Sequence, residues 1–205
     1  MRVLIVDYKM NNLGSISRAL EECGAQVIVS DDFHDAAQAD KIVLPGIGAF
    51  PDAMKNLHKL NWVDVLQEEV KVKKKPVLGI CLGMQLLATE GQEIILTDGL
   101  GFIPGVVKKL VPVANEEKIP HIGWNEVYQK SSTLLFKDIP QGADFYFVHS
   151  FVVVPVQEEA VQAITPHGGF FAAAIQKDNI FGVQFHPEKS MPVGMRLLKN
   201  FLMYA

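Results

Sequence analysis

Cys81 stands between two glycines in Gly79-Ile80-Cys81-Leu82-Gly83, after the apolar run Val77 to Ile80 and before a helical pattern, Met84 to Ala88. This is the sulfur version of the Gly-x-Ser-x-Gly elbow, a strand-to-helix turn so crowded that its neighbours must be small. A nucleophile there projects at the carboxyl end of the sheet, where open α/β sheets place their sites. The following helix turns its positive end to the sulfur, which favours thiolate over thiol. Its first N–H groups can donate to an oxyanion. The plainer alternative is a buried cysteine beside incidental glycines. Cys23, in mid-helix on an apolar face, reads as packing.

A cysteine nucleophile needs a base that takes its proton and later protonates the leaving amine. His34, His58 and His167 fall in polar helical or Pro-Gly-Gly surroundings and read as surface residues. His121 and His149 lie near strand ends and are structural or peripheral to a site. His186 differs, because it ends the apolar run Ile180 to Phe185 and is followed by Pro187 and Glu188. Residues i and i+2 of an extended chain point the same way, and proline biases its predecessor towards extended geometry. Glu188 can therefore bend back and hold the imidazole in one tautomer, as the third member of a triad does.

The elements that must position these groups follow from periodicity. Arg2 to Asp7, Gln26 to Val29, Lys41 to Leu44 and Val77 to Ile80 read as strands, with helical patterns between them. Ser15 is the expected cap of the first helix, with Ile16, Ala19, Leu20 and Cys23 on its inner face and Gly24 just past its end. An amphipathic stretch carries Phe50, Met54, Leu57, Val63, Leu66 and Val70. Lys71 to Lys75 closes it and reads as a solvated helix end. Alternating strands and helices imply a mainly parallel open sheet with helices on both faces. Beyond about residue 95 the style changes to short β runs: Gly105 to Val111, Trp124 to Tyr128, Phe145 to Val154, Ala172 to Gln176 and Ile180 to Phe185. Lys177-Asp178-Asn179 suits a hairpin turn, and a last helix spans about Val193 to Met203. The expected fold is one α/β domain over 1–205, a mixed sheet with an antiparallel extension in its C-terminal half.

The composition narrows the function classes. With 19 basic and 23 acidic residues the formal charge is −4, which offers no footprint for nucleic acid. No apolar run approaches the ~20 residues needed to span a bilayer, and Val3 to Val6 is too short for a secretory core. Two cysteines make no disulfide framework, so a cytoplasmic, reducing setting is expected. Gly46-x-Gly48 and Gly99-x-Gly101 fail as dinucleotide loops at Pro51 and Pro104. The absence of Cys-x-x-Cys and His-x-x-x-His gives no reason to expect a metal, and no cofactor is expected.

Taken together, Gly79 to Gln85 and Phe185-His186-Pro187-Glu188 resemble the class I glutamine amidotransferases. Pro45-Gly46-Ile47-Gly48-Ala49-Phe50, His121-Ile122-Gly123-Trp124-Asn125, Tyr146-Phe147-Val148-His149-Ser150 and Glu188-Lys189-Ser190 narrow the likeness. With them the chain resembles the glutaminase subunit of imidazole glycerol phosphate synthase, in histidine biosynthesis. The resemblance implies Cys81, His186 and Glu188 as catalytic triad and the backbone N–H groups of Ile47 and Leu82 as oxyanion hole. It implies Gly46, Gly48, Gln85, His149 and Ser150 as glutamine-binding residues. It also implies a (β/α)8-barrel cyclase partner, in a heterodimer that channels ammonia, met at or near Asn12, Trp124, Tyr146 and Lys189; core packing is the alternative for Trp124 and Tyr146. One departure concerns Tyr8-Lys9-Met10-Asn11-Asn12, where the family usually has Tyr-Gly-x-Gly-Asn. Any positive φ there is strained unless Asn11 supplies it. Two rival readings stay open: an amidotransferase serving another synthase, and a non-catalytic subunit on the same scaffold.

Overall fold

The computed structural model describes residues 1–10, 12–112, 118–130 and 133–205. In chain order the elements are β1 (Arg2–Val6), α1 (Leu13–Glu22), β2 (Gln26–Ser30), β3 (Lys41–Gly46), α2 (Phe50–Lys59), α3 (Trp62–Leu66), β4 (Val77–Cys81) and α4 (Leu82–Leu86). Then follow β5 (Glu90–Gly91), β6 (Thr97–Asp98), β7 (Gly105–Lys109), β8 (His121–Gln129), β9 (Ala143–His149) and β10 (Phe151–Pro155). The chain ends with β11 (Val161–Pro166), β12 (Phe170–Lys177), β13 (Ile180–Val183) and α5 (Val193–Tyr204).

Nine strands form one mixed sheet in the order β2-β1-β3-β4-β13-β12-β11-β8-β9. The half from β2 to β13 is parallel, and the half from β13 to β9 is antiparallel. The mixed sheet with its antiparallel C-terminal half is therefore as the sequence implies. Its parallel strands are buried on both faces, which is why β1, β3 and β4 are near-continuous apolar runs. β9 alternates buried and less buried residues, as a strand with one packed face must. Val3, Ile5, Leu78 and Ile80 meet α1 and α5 on one side of the sheet. Leu4, Val6, Ile42, Leu44 and Val77 meet α2, α3 and α4 on the other.

A second, four-stranded sheet, β10-β7-β5-β6, was not expected. Phe145 to Val154 reads as one strand but divides at Ser150 into β9 and β10, which join different sheets. Apolar residues flank His149-Ser150 on both sides, and the pairing partners reveal that the chain changes sheets there. β11 escaped the sequence reading because polar Gln162 and Thr165 and a terminal proline break its apolar pattern; it completes the large sheet between β12 and β8. Conversely, the β12–β13 hairpin turns at Asp178-Asn179, with Asp178 at φ 52°.

Three local expectations are corrected. Helix α1 starts at Leu13, not after Ser15, because Leu13 packs against the core; Asn12 holds the N-cap position without a side-chain cap bond. The amphipathic stretch breaks at Asn61, whose left-handed backbone (φ 58°, ψ 22°) turns the chain so that Leu57 and Trp62 both face inward. The lysine run is not simply a solvated end. Glu69 is 4% exposed and pairs with Lys73 at 2.8 Å and Lys75 at 2.7 Å, a buried carboxylate held by two ammonium groups.

Candidate functional site

Cys81 closes β4 at φ 54° and ψ −111°, a conformation that side chains rarely adopt. The turn is held by close packing. A Cβ on Gly83 would lie 1.7 Å from the Leu44 carbonyl oxygen, and one on Gly79 would lie 2.6 Å from that of Gly83. The flanking glycines are therefore a steric requirement of the elbow. Helix α4 begins two residues earlier than the sequence pattern implies and is as short, running from Leu82 to Leu86, so its dipole is that of a little over one turn. Leu82 is its first residue, where a backbone N–H has no acceptor inside the helix.

His186 follows β13 in extended geometry (φ −99°, ψ 97°) and is 4% exposed. Its Nδ1 lies 2.8 Å from Oε1 of Glu188, which sits in the short 3-10 turn Pro187–Lys189. That turn is clamped from below by α5: a Cβ on Gly194 would meet the Pro187 carbonyl oxygen at 1.9 Å. It is clamped from the side by Ser190, whose hydroxyl donates to the His186 carbonyl at 2.6 Å and accepts from Tyr146 N at 2.9 Å. The Glu188 bond fixes the imidazole tautomer and points Nε2 towards the sulfur. Nε2 is buried with no hydrogen bond of ordinary geometry, within interaction range of Cys81. Burial disfavours charge on this ring. The Cys81 sulfur and Glu188 carboxylate outweigh it and raise the His186 pKa from 6.5 to about 9.

A cavity of about 240 Å³ opens over the sulfur, lined by Cys81, Gly48, Gln85, His149 and Ser150 together with Ile47, Leu82 and Glu93. Four of the five residues implied for glutamine binding thus share one cavity with Cys81. Gly46 lines a neighbouring cavity of about 100 Å³ instead, with Asn12, His186, Glu188 and Lys189. A Cβ on Gly46 would lie 1.9 Å from the Tyr8 hydroxyl, and one on Gly48, at φ 107°, would lie 2.7 Å from Met10 Cε. The Ile47 N–H is bonded to the Met10 carbonyl at 2.9 Å and is not directed to an oxyanion. In the preceding loop Lys9 itself carries the positive φ, 66°, steadied by Asp7 and Asp31 at 2.8 Å each. Asn11, the other glycine replacement, lies outside the described residues.

His121 and His149 form a buried pair with Nδ1 and Nε2 3.0 Å apart. Asn125 reaches His121 Nε2 at 3.1 Å, and His149 Nδ1 reaches the Phe151 carbonyl at 3.0 Å. Since that carbonyl can only accept, every proton along the chain is assigned: Asn125 donates to His121, His121 to His149, and His149 to the carbonyl. Burial lowers the pKa to about 4 for His121 and about 3 for His149, so both rings are neutral. His167, read as a surface residue, instead stacks on His121 with centroids 4.1 Å apart.

Trp124 is 55% exposed, which removes core packing as its explanation. It meets Tyr146 edge-on across the β8–β9 ladder, and Lys189 lies 5.3 Å from the Tyr146 ring centroid. The backbone of Tyr146 in turn accepts from His186 N at 2.9 Å. Two site residues escaped the sequence reading. Glu93 enters the cavity from the loop between β5 and β6 and accepts from Phe50 N at 2.7 Å; nothing in its local sequence marks it. Gln184 is wholly buried and donates to Cys81 Sγ at 3.7 Å. Its signal was legible, as the one polar residue in the run Ile180 to Phe185.

Among the described residues no group of three or more His, Cys, Asp or Glu side chains is placed to hold a metal, and no helix is long and apolar enough to cross a membrane.

Residues 4–205 match the family described as glutamine amidotransferase class-I. The chain is 47% identical over 200 residues to imidazole glycerol phosphate synthase subunit HisH 1 of Campylobacter jejuni, covering 98% of each chain. It is likewise 47% identical over 202 residues to subunit HisH of Aquifex aeolicus, covering 98% of this chain and 96% of that one. Among solved structures, a glutamine amidotransferase superposes with a TM-score of 0.76 at 17% identity, covering 98% of this chain and 96% of that one. One from Thermotoga maritima gives 0.71 at 18% over the same shares; these two support the fold alone. With an elbow cysteine, a buried His–Glu pair and this extent of identity, the chain belongs to the class-I glutamine amidotransferase family, among the HisH subunits of imidazole glycerol phosphate synthase.

Proposed function

We propose that this chain, acting as one domain over 1–205, hydrolyses glutamine and delivers the ammonia to a cyclase subunit, with Cys81, His186 and Glu188 as its triad. The observation that carries this reading is the sulfur on a strained elbow, beside a buried His186–Glu188 pair and under a cavity with a carboxylate on its wall. The Cys81 sulfur attacks the side-chain amide carbon of glutamine, and the carbonyl electrons move to oxygen. His186 donates its proton to the nitrogen, the C–N bond breaks, and ammonia leaves a glutamyl thioester. His186 then takes a proton from water, the resulting hydroxide attacks the thioester, and the C–S bond breaks to free glutamate. Glu188 keeps the imidazole oriented and compensates its charge.

Leu82 N–H donates to the oxyanion. Ile47 N–H is the second donor once it leaves the Met10 carbonyl, a rotation that the neighbouring Gly46 and Gly48 permit. Gly48, Gln85, His149 and Ser150 bound the substrate, and Glu93 supplies the negative charge suited to its α-ammonium group. Ammonia passes to a (β/α)8-barrel cyclase, which makes imidazole glycerol phosphate and aminoimidazole-carboxamide ribotide. The partner docks on the face bearing Asn12, Trp124, Tyr146 and Lys189, in the cytoplasm. That face adjoins the machinery: Asn12 and Lys189 share a cavity with His186 and Glu188, and Met10 lies two residues from Asn12. Docking that moves this loop would release Ile47.

The test is Cys81→Ala in complex with the cyclase. Glutamine-dependent synthesis is expected to fall by at least a thousandfold, while synthesis from added ammonium persists. Retained glutamine turnover would refute the nucleophile, and no product from glutamine with the unmodified pair would refute the pathway.

A further inference from the structure

Gln184 has a task beyond filling the core. Its carboxamide is 0% exposed and sits two residues before His186 on the same extended segment, so both side chains point to one side of it. Phe185, between them, points the other way and stacks on Phe145 at 4.0 Å. That alternation places a buried amide and a buried imidazole together at the sulfur.

The orientation of the amide is settled by its neighbours. The Phe151 carbonyl can only accept, so the Gln85 group 3.0 Å from it is the NH2. The same NH2 lies 3.1 Å from Gln184, which must therefore present its oxygen to Gln85 and its own NH2 to Cys81 Sγ at 3.7 Å. The reverse orientation would set two donors against each other and an oxygen lone pair against the sulfur. An N–H directed at sulfur in a dry site stabilises negative charge there and restrains the side-chain rotamer.

We propose that Gln184 is a positioning residue for the nucleophile, its amide oriented by Gln85 so that an N–H donates to the Cys81 sulfur and favours the reactive thiolate. This rests on the reading of Cys81 as nucleophile.

The test uses the full-length chain with Cys23→Ser, so that position 81 holds the sole thiol. Gln184→Met keeps the shape and removes the donor. Iodoacetamide is expected to alkylate Cys81 about tenfold more slowly at pH 7. With the cyclase bound, kcat for glutamine should fall by a similar factor with KM little changed, a split that loosened packing would not produce. Adding Gln85→Met to Gln184→Met should slow alkylation no further, since Gln85 acts on the sulfur through Gln184. Alkylation and kcat at the parental rates would overturn the proposal. If Gln184→Met does not fold, Gln184→Glu carries the test. It keeps an acceptor for Gln85 but turns an oxygen to the sulfur, so parental rates in it would equally overturn the proposal. Cys81→Ala in the same turnover assay separates the two readings. Glutamine turnover in that variant would refute the nucleophile itself, whereas its loss beside an unaffected Gln184→Met would refute only the positioning role.

Discussion

A proton on His186 has two competing influences acting on it, and the balance sets a pH window. Burial favours the neutral ring, whereas the Cys81 sulfur and the Glu188 carboxylate favour the cation and bring its pKa to about 9. In the proposed mechanism the protonated ring supplies the proton to departing ammonia. The kcat/KM for glutamine should therefore hold through neutral pH and fall as pH rises through about 9, which a pH–rate profile of the complex would read. Glu188→Gln removes one of the two supporting charges, so the alkaline limb should move to lower pH. The same sign applies to folding. Because the folded pKa is above the ordinary 6.5, this proton's contribution to stability is complete below about 6.5 and is lost as pH rises through about 9.

At the scale of the element, the elbow is a junction in which β4 and α4 meet without room for a side chain on either side of Cys81. A methyl group on Gly83 would displace the Leu44 carbonyl, an atom of β3 that cannot swing aside as a side-chain tip would. Gly83→Ala is expected to destabilise the fold by about 2–3 kcal/mol, lowering Tm by roughly 5–10 °C in a calorimetric scan. Glutamine turnover should fall further than stability does, because separating β3 from α4 also shifts Leu82 N–H relative to the sulfur. A melting curve superimposable on that of the unmodified chain would contradict this account of the glycines. The two nearby glycines of the β3–α2 turn act differently. Gly48 needs its positive φ, 107°, whereas Gly46 needs the space that the Tyr8 hydroxyl occupies. Tyr8 is wholly buried, its hydroxyl has no hydrogen-bond partner among the described residues, and burial followed by the Cys81 charge keeps the phenol neutral.

For the molecule as a whole, the antiparallel half of the sheet contributes acid sensitivity through two buried histidines. His121 and His149 are neutral in the fold, with pKa values near 4 and 3, and regain 6.5 on unfolding. The unfolded chain therefore binds more protons below pH 6.5. Stability is complete above that value and declines as pH falls towards 4 and then 3. Denaturant midpoints measured from pH 7 to pH 4 should drop steeply. A chain carrying His121→Asn and His149→Gln should start less stable and show a flatter slope. An identical slope in both would remove these histidines as the cause. The pair also bridges β8 and β9, the strands that present Trp124 and Tyr146 to solvent, so the proposed docking face is stiffened from beneath by neutral, fully assigned hydrogen bonds.

The chemistry of this protein was readable in one dimension because its strongest constraints are local. An elbow needs glycine at fixed offsets from its nucleophile, and an extended His186 followed by the 3-10 turn Pro187–Lys189, rather than an extended His-Pro-Glu, brings the Glu188 carboxylate back onto the imidazole. Apolar runs such as Val3 to Val6 and Val77 to Ile80 likewise announce buried parallel strands, since the same residues must face helices on both sides. Other features depend on partners distant in sequence, and no local pattern encodes those. The division of Phe145 to Val154 between two sheets depends on which strands it meets, and the pairing of Lys75 with Glu69 depends on a turn of π geometry. Glu93 reaches the cavity only because β5 joins the second sheet beside β7, and the Ile47 N–H is committed to Met10 only because β1 and β3 are neighbours. The sequence determined which residues could react; tertiary packing decided which buried partners, Gln184 among them, share the space around Cys81, because hydrogen-bond saturation in a dry interior is a property of three-dimensional neighbours.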